Sequence, residues 1–79
     1  MFAFVTTPAE TLRADIRRAR VWADSASGAD AIEGAAYLAE RIGEMEVRNL
    51  LLAALRHVDK RELLLDMAQQ RMTRVGAQD

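Results

Sequence analysis

The sequence predicts an all-α fold, a small bundle of three or four helices, on three observations. Apolar residues recur at steps of three and four through most of the chain, the period of one helix face. A strong helix start stands at Thr7-Pro8-Ala9-Glu10, and glycines suited to helix ends stand at Gly43 and Gly76. The stretches between are rich in leucine, alanine, arginine and glutamate, which favour the helical state.

Residues 1–79 read as a single small domain, with no internal repeat or low-complexity segment. Residues 1–6 form an apolar arm containing Phe2, Phe4 and Val5, too short to assign to a strand or to a cover over the bundle. The first helix starts at Pro8. Thr7 is the N-cap, Pro8 occupies the first position, where its missing N–H costs nothing, and Glu10 completes a capping box. Its buried face carries Leu12, Ile16, Ala19 and Ala23, with Trp22 at the edge. The run Asp24-Ser25-Ala26-Ser27-Gly28 reads as a turn.

The second helix is expected from about Ala29 to Ile42, burying Ile32, Ala35, Ala36, Ala39 and Ile42. Three of these five are alanines, so a neighbouring helix can approach closely. Gly34 lies inside this helix at a cost of about 1 kcal/mol relative to alanine, which marks a close approach or a weak point. Gly43 then supplies a left-handed helix end.

From Glu44 onward one leucine-rich stretch fills the chain. Val47, Leu51, Ala54, Val58, Arg61, Leu65, Ala68, Met72 and Val75 step alternately by four and three, and only Arg61 interrupts this apolar stripe. The unbroken stepping argues for one helix, giving three in all. Against it, Asp59-Lys60-Arg61-Glu62 reads as a capping box that restarts a helix, giving four. Helices longer than about 25 residues are uncommon in small domains, which favours a break near Val58-Asp59. Gly76 is expected to end the last helix, leaving 77–79 as a frayed tail.

The inventory narrows the function. A 79-residue domain buries only about 60% of the surface its unfolded chain exposes, so extra stabilisation is expected. There is no cysteine and a single histidine, His57, which leaves oligomerisation or a partner as the source. The cysteine-free composition suits a reducing cytoplasm, and no apolar run reaches the roughly 18 residues of a membrane span. Abundant alanine and arginine with the single lysine Lys60 suit a GC-rich bacterial or phage genome. A net charge of −1 offers no general attraction for nucleic acid or anionic lipid. Ser25 and Ser27 lie far along the chain from His57 with no nucleophile motif, so no catalytic residue is assigned. No cofactor, metal or small-molecule substrate is expected either. Ala54 stands where a Glu-x-x-His pair would need its glutamate, and Ala23 and Gly34 stand where a calcium loop would need carboxylates.

Four features remain as candidate surfaces. Arg13, Arg17 and Arg20 share a face of the first helix, with Arg18 beside them. Glu10, Asp15 and Asp24 are spaced to pair with them, so a solvated, ion-paired face explains most of this cluster. The corner from Leu38 to Gly43 resembles the first half of a helix-turn-helix, but the following helix offers only Arg48 and Asn49 to base edges and is approached past Glu44 and Glu46. Nucleic-acid binding is therefore not the favoured function. Asp30, Glu33, Tyr37, Glu40 and Glu44 form a carboxylate ridge with one tyrosine in its middle, within a stretch carrying five acids against Arg41 alone. Such a ridge can dock on a basic protein surface, with tyrosine as the anchor. Met45, Leu52, Leu63 and Met67 form a second apolar stripe opposite the first, expected to meet its own copy in a twofold homodimer.

These readings converge on a non-catalytic protein–protein interaction module, an adaptor, chaperone or inhibitor that occupies a surface of a larger protein, basic nucleic-acid-binding surfaces included. The alternative is a small dimeric transcription regulator that binds DNA through the arginine face or the Gly43 corner.

Overall fold

The computed structural model describes residues 7–23 and 25–77; the apolar arm, Asp24, the side chains of Val75 and Ala77 and the last two residues of the tail lie outside the described residues. Among the described residues four helices follow one another: α1 Pro8–Val21, α2 Ala26–Arg41, α3 Met45–Arg56 and α4 Arg61–Ala77, with a 3-10 turn, Val58–Lys60, between the last two. Each helix packs on its neighbours in the chain, and α1 against α4 closes the ring. Among the described residues α1 and α3 lie across one diagonal without contact, and α2 and α4 across the other. Short corners between successive helices produce this antiparallel arrangement. No helix is long and apolar enough to cross a membrane among the described residues.

The core is apolar throughout. Leu12, Ile16 and Ala19 come from α1, Ile32, Ala35, Ala36 and Ala39 from α2, Val47, Leu51 and Ala54 from α3, and Leu65, Ala68 and Met72 from α4. The expected faces of the first two helices are the buried ones, with Ala23 and Ile42 half-buried against them. The long stripe supplies six core residues, while Val58 at the reversal is 67% exposed. The stripe keeps its stepping across the break because both halves, folded back on each other, face the same core.

The helix ends differ from expectation in instructive ways. At α1, the Glu10 N–H donates to Thr7 Oγ1 at 3.2 Å, the N-cap bond expected from the sequence. The second helix begins three residues earlier than its apolar pattern shows. Ser25 is its N-cap, accepting from the Gly28 N–H at 3.2 Å while its own hydroxyl donates to the Trp22 carbonyl at 2.8 Å. Gly28, read above as a turn residue, therefore belongs to the first turn of α2. At the other end of α2 the Glu44 N–H donates to Ala39 O at 2.9 Å and the Gly43 N–H to Glu40 O at 3.2 Å, with Gly43 at φ +83°. This is the Schellman pattern, which satisfies two terminal carbonyls and needs a left-handed residue. At the far end α4 continues through Gly76 to Ala77, so that glycine does not stop the helix.

Gly34 and Gly43 predict opposite results for the same substitution. Gly34 is exposed, and among the described residues a Cβ there would meet nothing within 4 Å, so no close approach between them accounts for it. Gly34→Ala should raise stability by about 1 kcal/mol through helix propensity. Gly43→Ala also has open space but must hold a positive φ, and should lower stability by about 1 kcal/mol. Urea unfolding of both variants beside the parent checks the two signs together.

Candidate functional site

The break before α4 is built around Arg61, the one charged residue in the long stripe. Its Nε donates to Ala54 O at 2.9 Å and its Nη2 to Leu55 O at 3.2 Å, both carbonyls of the last turn of α3. Its Nη1 donates to Ala23 O at 3.1 Å, just beyond the end of α1. A single half-buried guanidinium thus closes the end of α3 and ties it to the α1–α2 corner, where fixed donors in a fork suit several carbonyls at once. Among the described residues neither Asp59 nor Glu62 supplies the side-chain cap expected of them. The exposed His57 is the C-cap of α3, its N–H donating to Ala53 O at 2.9 Å.

The arginine face of α1 is drawn largely into the fold. Arg13 Nη1 donates to Met72 O at 3.3 Å, and Arg20 reaches both Gln69 Oε1 and, at 3.2 Å, Asp66 of α4. Arg18 pairs with Asp15 at 3.6 Å on its own helix. Spacing along α1 could not reveal the contacts of Arg13 and Arg20, because their partners lie some fifty residues away.

On α2 the ridge divides. Asp30 and Glu33 are exposed and form no ion pair among the described residues, and Tyr37 between them and the helix end is 62% exposed. The Arg41 guanidinium lies 5.8 Å from the Tyr37 ring centroid and donates to its hydroxyl at 3.3 Å, which steadies the ring on the surface. Glu40 pairs with Arg48 of α3 at 2.8 Å, and Glu44 is half-buried at the start of α3. The open part of the ridge is therefore Asp30, Glu33 and Tyr37.

The second apolar stripe is not one surface. Its four members were phased along a single continuous helix, and the reversal at Val58 cancels that phase. Met67, 45% exposed, opens on a groove of about 420 Å³ between α3 and α4, where Leu50 supplies the facing apolar wall. Leu52, two residues after Leu50, leaves α3 on nearly the opposite side and is half-buried against the core; Met45 leaves on that side too. Leu63, 60% exposed, is one turn before Met67 on the outward face of α4.

Polar groups border the groove: Glu46 and Asn49 on the α3 wall, Gln70, Arg71 and Arg74 on the α4 wall. Arg71 Nη1 pairs with Glu46 at 2.9 Å, and its buried Nε has no acceptor among the described residues. Arg74 is exposed and makes no ion pair among them. The groove thus combines an apolar floor with an excess of positive charge on one wall. Sequence periodicity missed it because its two walls belong to different helices. A smaller recess of about 210 Å³ at the opposite end, between Arg20, Val21, Val58 and Asp59, is walled in part by Arg61.

No group of three or more His, Asp or Glu side chains that could hold a metal ion occurs among the described residues. No protein-family model, curated protein or solved structure matches the chain.

Proposed function

We propose that the chain is a non-catalytic protein-binding module of bacterial or phage type, acting in the cytoplasm as an adaptor, chaperone or inhibitor. It docks the open part of the α2 ridge on a basic surface of a larger protein, including surfaces that otherwise hold nucleic acid. One observation carries this reading: Asp30 and Glu33 stay exposed with no ion pair among the described residues beside the exposed, Arg41-steadied Tyr37, whereas the other strongly charged face, on α1, gives two of its arginines to contacts with α4. An aromatic anchor beside carboxylates gives an interface both binding energy and electrostatic choice of partner. The same commitment of Arg13 and Arg20 weighs against DNA binding by the arginine face.

The test is capture from a host extract at nanomolar chain concentration, with the parent and a variant carrying Asp30→Ala, Glu33→Ala and Tyr37→Ala side by side. A partner retained by the parent should be lost from the variant by at least about tenfold. Equal capture by both would remove the ridge as the site. In parallel, the parent should not retard duplex DNA even at low salt, where phosphate contacts are strongest. Retardation abolished by Arg17→Ala and Arg18→Ala would restore the regulator alternative.

A further inference from the structure

The groove between α3 and α4 and the ridge on α2 match in spacing as well as in charge. On α4, Arg71 and Arg74 follow Met67 by four and seven residues; on α2, Glu33 and Asp30 precede Tyr37 by four and seven. With a rise of 1.5 Å per residue, both helices hold their charges about 6 Å and about 10.5 Å from an apolar anchor on the same face. An antiparallel approach of the two helices sets Tyr37 against Met67 and Leu50, Glu33 opposite Arg71, and Asp30 opposite Arg74. Arg71, already held by Glu46, then has carboxylates on two sides.

Gly34 enters the same register. It falls opposite Gln70, and its Cβ position is open space on the exposed face of α2. Among the described residues nothing accounts for a mid-helix glycine there, whereas a helix packing against the ridge would approach most closely at the residue that lacks a side chain.

Within one molecule these surfaces cannot meet, because α2 and α4 lie across a diagonal of the bundle. We propose that the α3–α4 groove accepts the α2 ridge of a second copy of this chain, in a head-to-tail contact rather than a twofold one. The proposal rests on the ridge being a docking surface. A contact between unlike surfaces leaves a free ridge at one end and a free groove at the other, so assembly grows with concentration until a ring closes or the supply ends. Its ion pairs lie at a solvated rim, so added salt weakens it. Self-assembly also covers the ridge, so it competes with capture of any other partner.

The mass of the full chain in solution, followed from micromolar to millimolar concentration at low and high salt, tests this. At low salt the mass should climb past that of a dimer, and salt should lower it. Tyr37→Ala and Arg74→Glu should each weaken self-association by at least about tenfold. An equimolar mixture of the two should form a dimer and stop there, since one variant keeps its groove and the other its ridge. Gly34→Ala should weaken association while raising the melting temperature, which separates contact from folding; circular dichroism verifies that the other two variants remain helical. A parent mass that stays monomeric, a parent dimer that grows no further, or association surviving in both single variants overturns the proposal. The Arg74→Glu chain, with its ridge intact, should capture a partner at nanomolar concentration as the parent does, so failure of the ridge reading is seen separately.

Discussion

Replacing Arg61 with alanine should lower stability by about 2–4 kcal/mol. The side chain donates to Ala54 O, Leu55 O and Ala23 O. Hydrogen bonds from a charged donor contribute about 1.5–3 kcal/mol each, and water can replace some of them at a half-buried site, which places the total well below the sum. In a domain of this size such a loss lowers the melting temperature by roughly 10–25 °C. Arg61→Lys should recover only part of it, because an ammonium cannot reproduce the planar fork that reaches both helix ends. Thermal unfolding of the parent and both variants settles the ranking. Equal melting temperatures for the three chains would mean that the two corners hold together without the guanidinium.

Gly28→Ala should cost about 2–3 kcal/mol, although the substitution favours a helix in isolation. A Cβ on Gly28 would lie 1.9 Å from the Trp22 carbonyl oxygen and 2.6 Å from its carbon. These are backbone atoms, and that oxygen also accepts from the Ser25 N–H at 3.0 Å and the Ser25 hydroxyl at 2.8 Å. The new methyl group can be accommodated only by moving the α1–α2 corner, which breaks the bonds that form it. Overpacking usually costs about 1–3 kcal/mol, and a clash with anchored backbone belongs at the upper end, reduced by up to about 1 kcal/mol of helix propensity. Urea unfolding of Gly28→Ala and Gly34→Ala on the same day gives the sharpest contrast: the first should fall and the second rise. A gain at both positions would show that the corner yields to the added carbon.

The helices themselves were largely legible in the chain. Thr7-Pro8-Ala9-Glu10 announced α1, and the three-and-four stepping placed Leu12, Ile16, Ile32, Ala39, Val47, Leu51, Leu65 and Met72 in the core, because one buried stripe per helix leaves a periodic record. The start of α2 was not legible. Ser25-Ala26-Ser27-Gly28 has turn composition, and the Ser25 cap together with the packing of Gly28 against Trp22 makes it the first turn of a helix. The break near Val58 was anticipated for a different reason from the one observed, an aspartate cap where Arg61 provides the closure. Of the candidate contact residues, Asp30, Glu33 and Tyr37 remain an open set, Glu40 is drawn to Arg48, and the stripe from Met45 to Met67 divides between two sides of the hairpin.

By itself the sequence determined the class of fold and which face of each helix is buried, while the choice between three helices and four fell to the structure. Those properties depend on local propensity and on the period of apolar residues, both written along the chain. The tertiary structure decided which charged side chains are committed within the fold. It assigned Arg13, Arg20 and Arg61 to holding helices together, left Asp30, Glu33 and Arg74 uncommitted among the described residues, and joined Leu50 to Met67 in a groove. Such pairings join residues from different helices, and their register is set by how the helices pack, so no spacing within one helix records them.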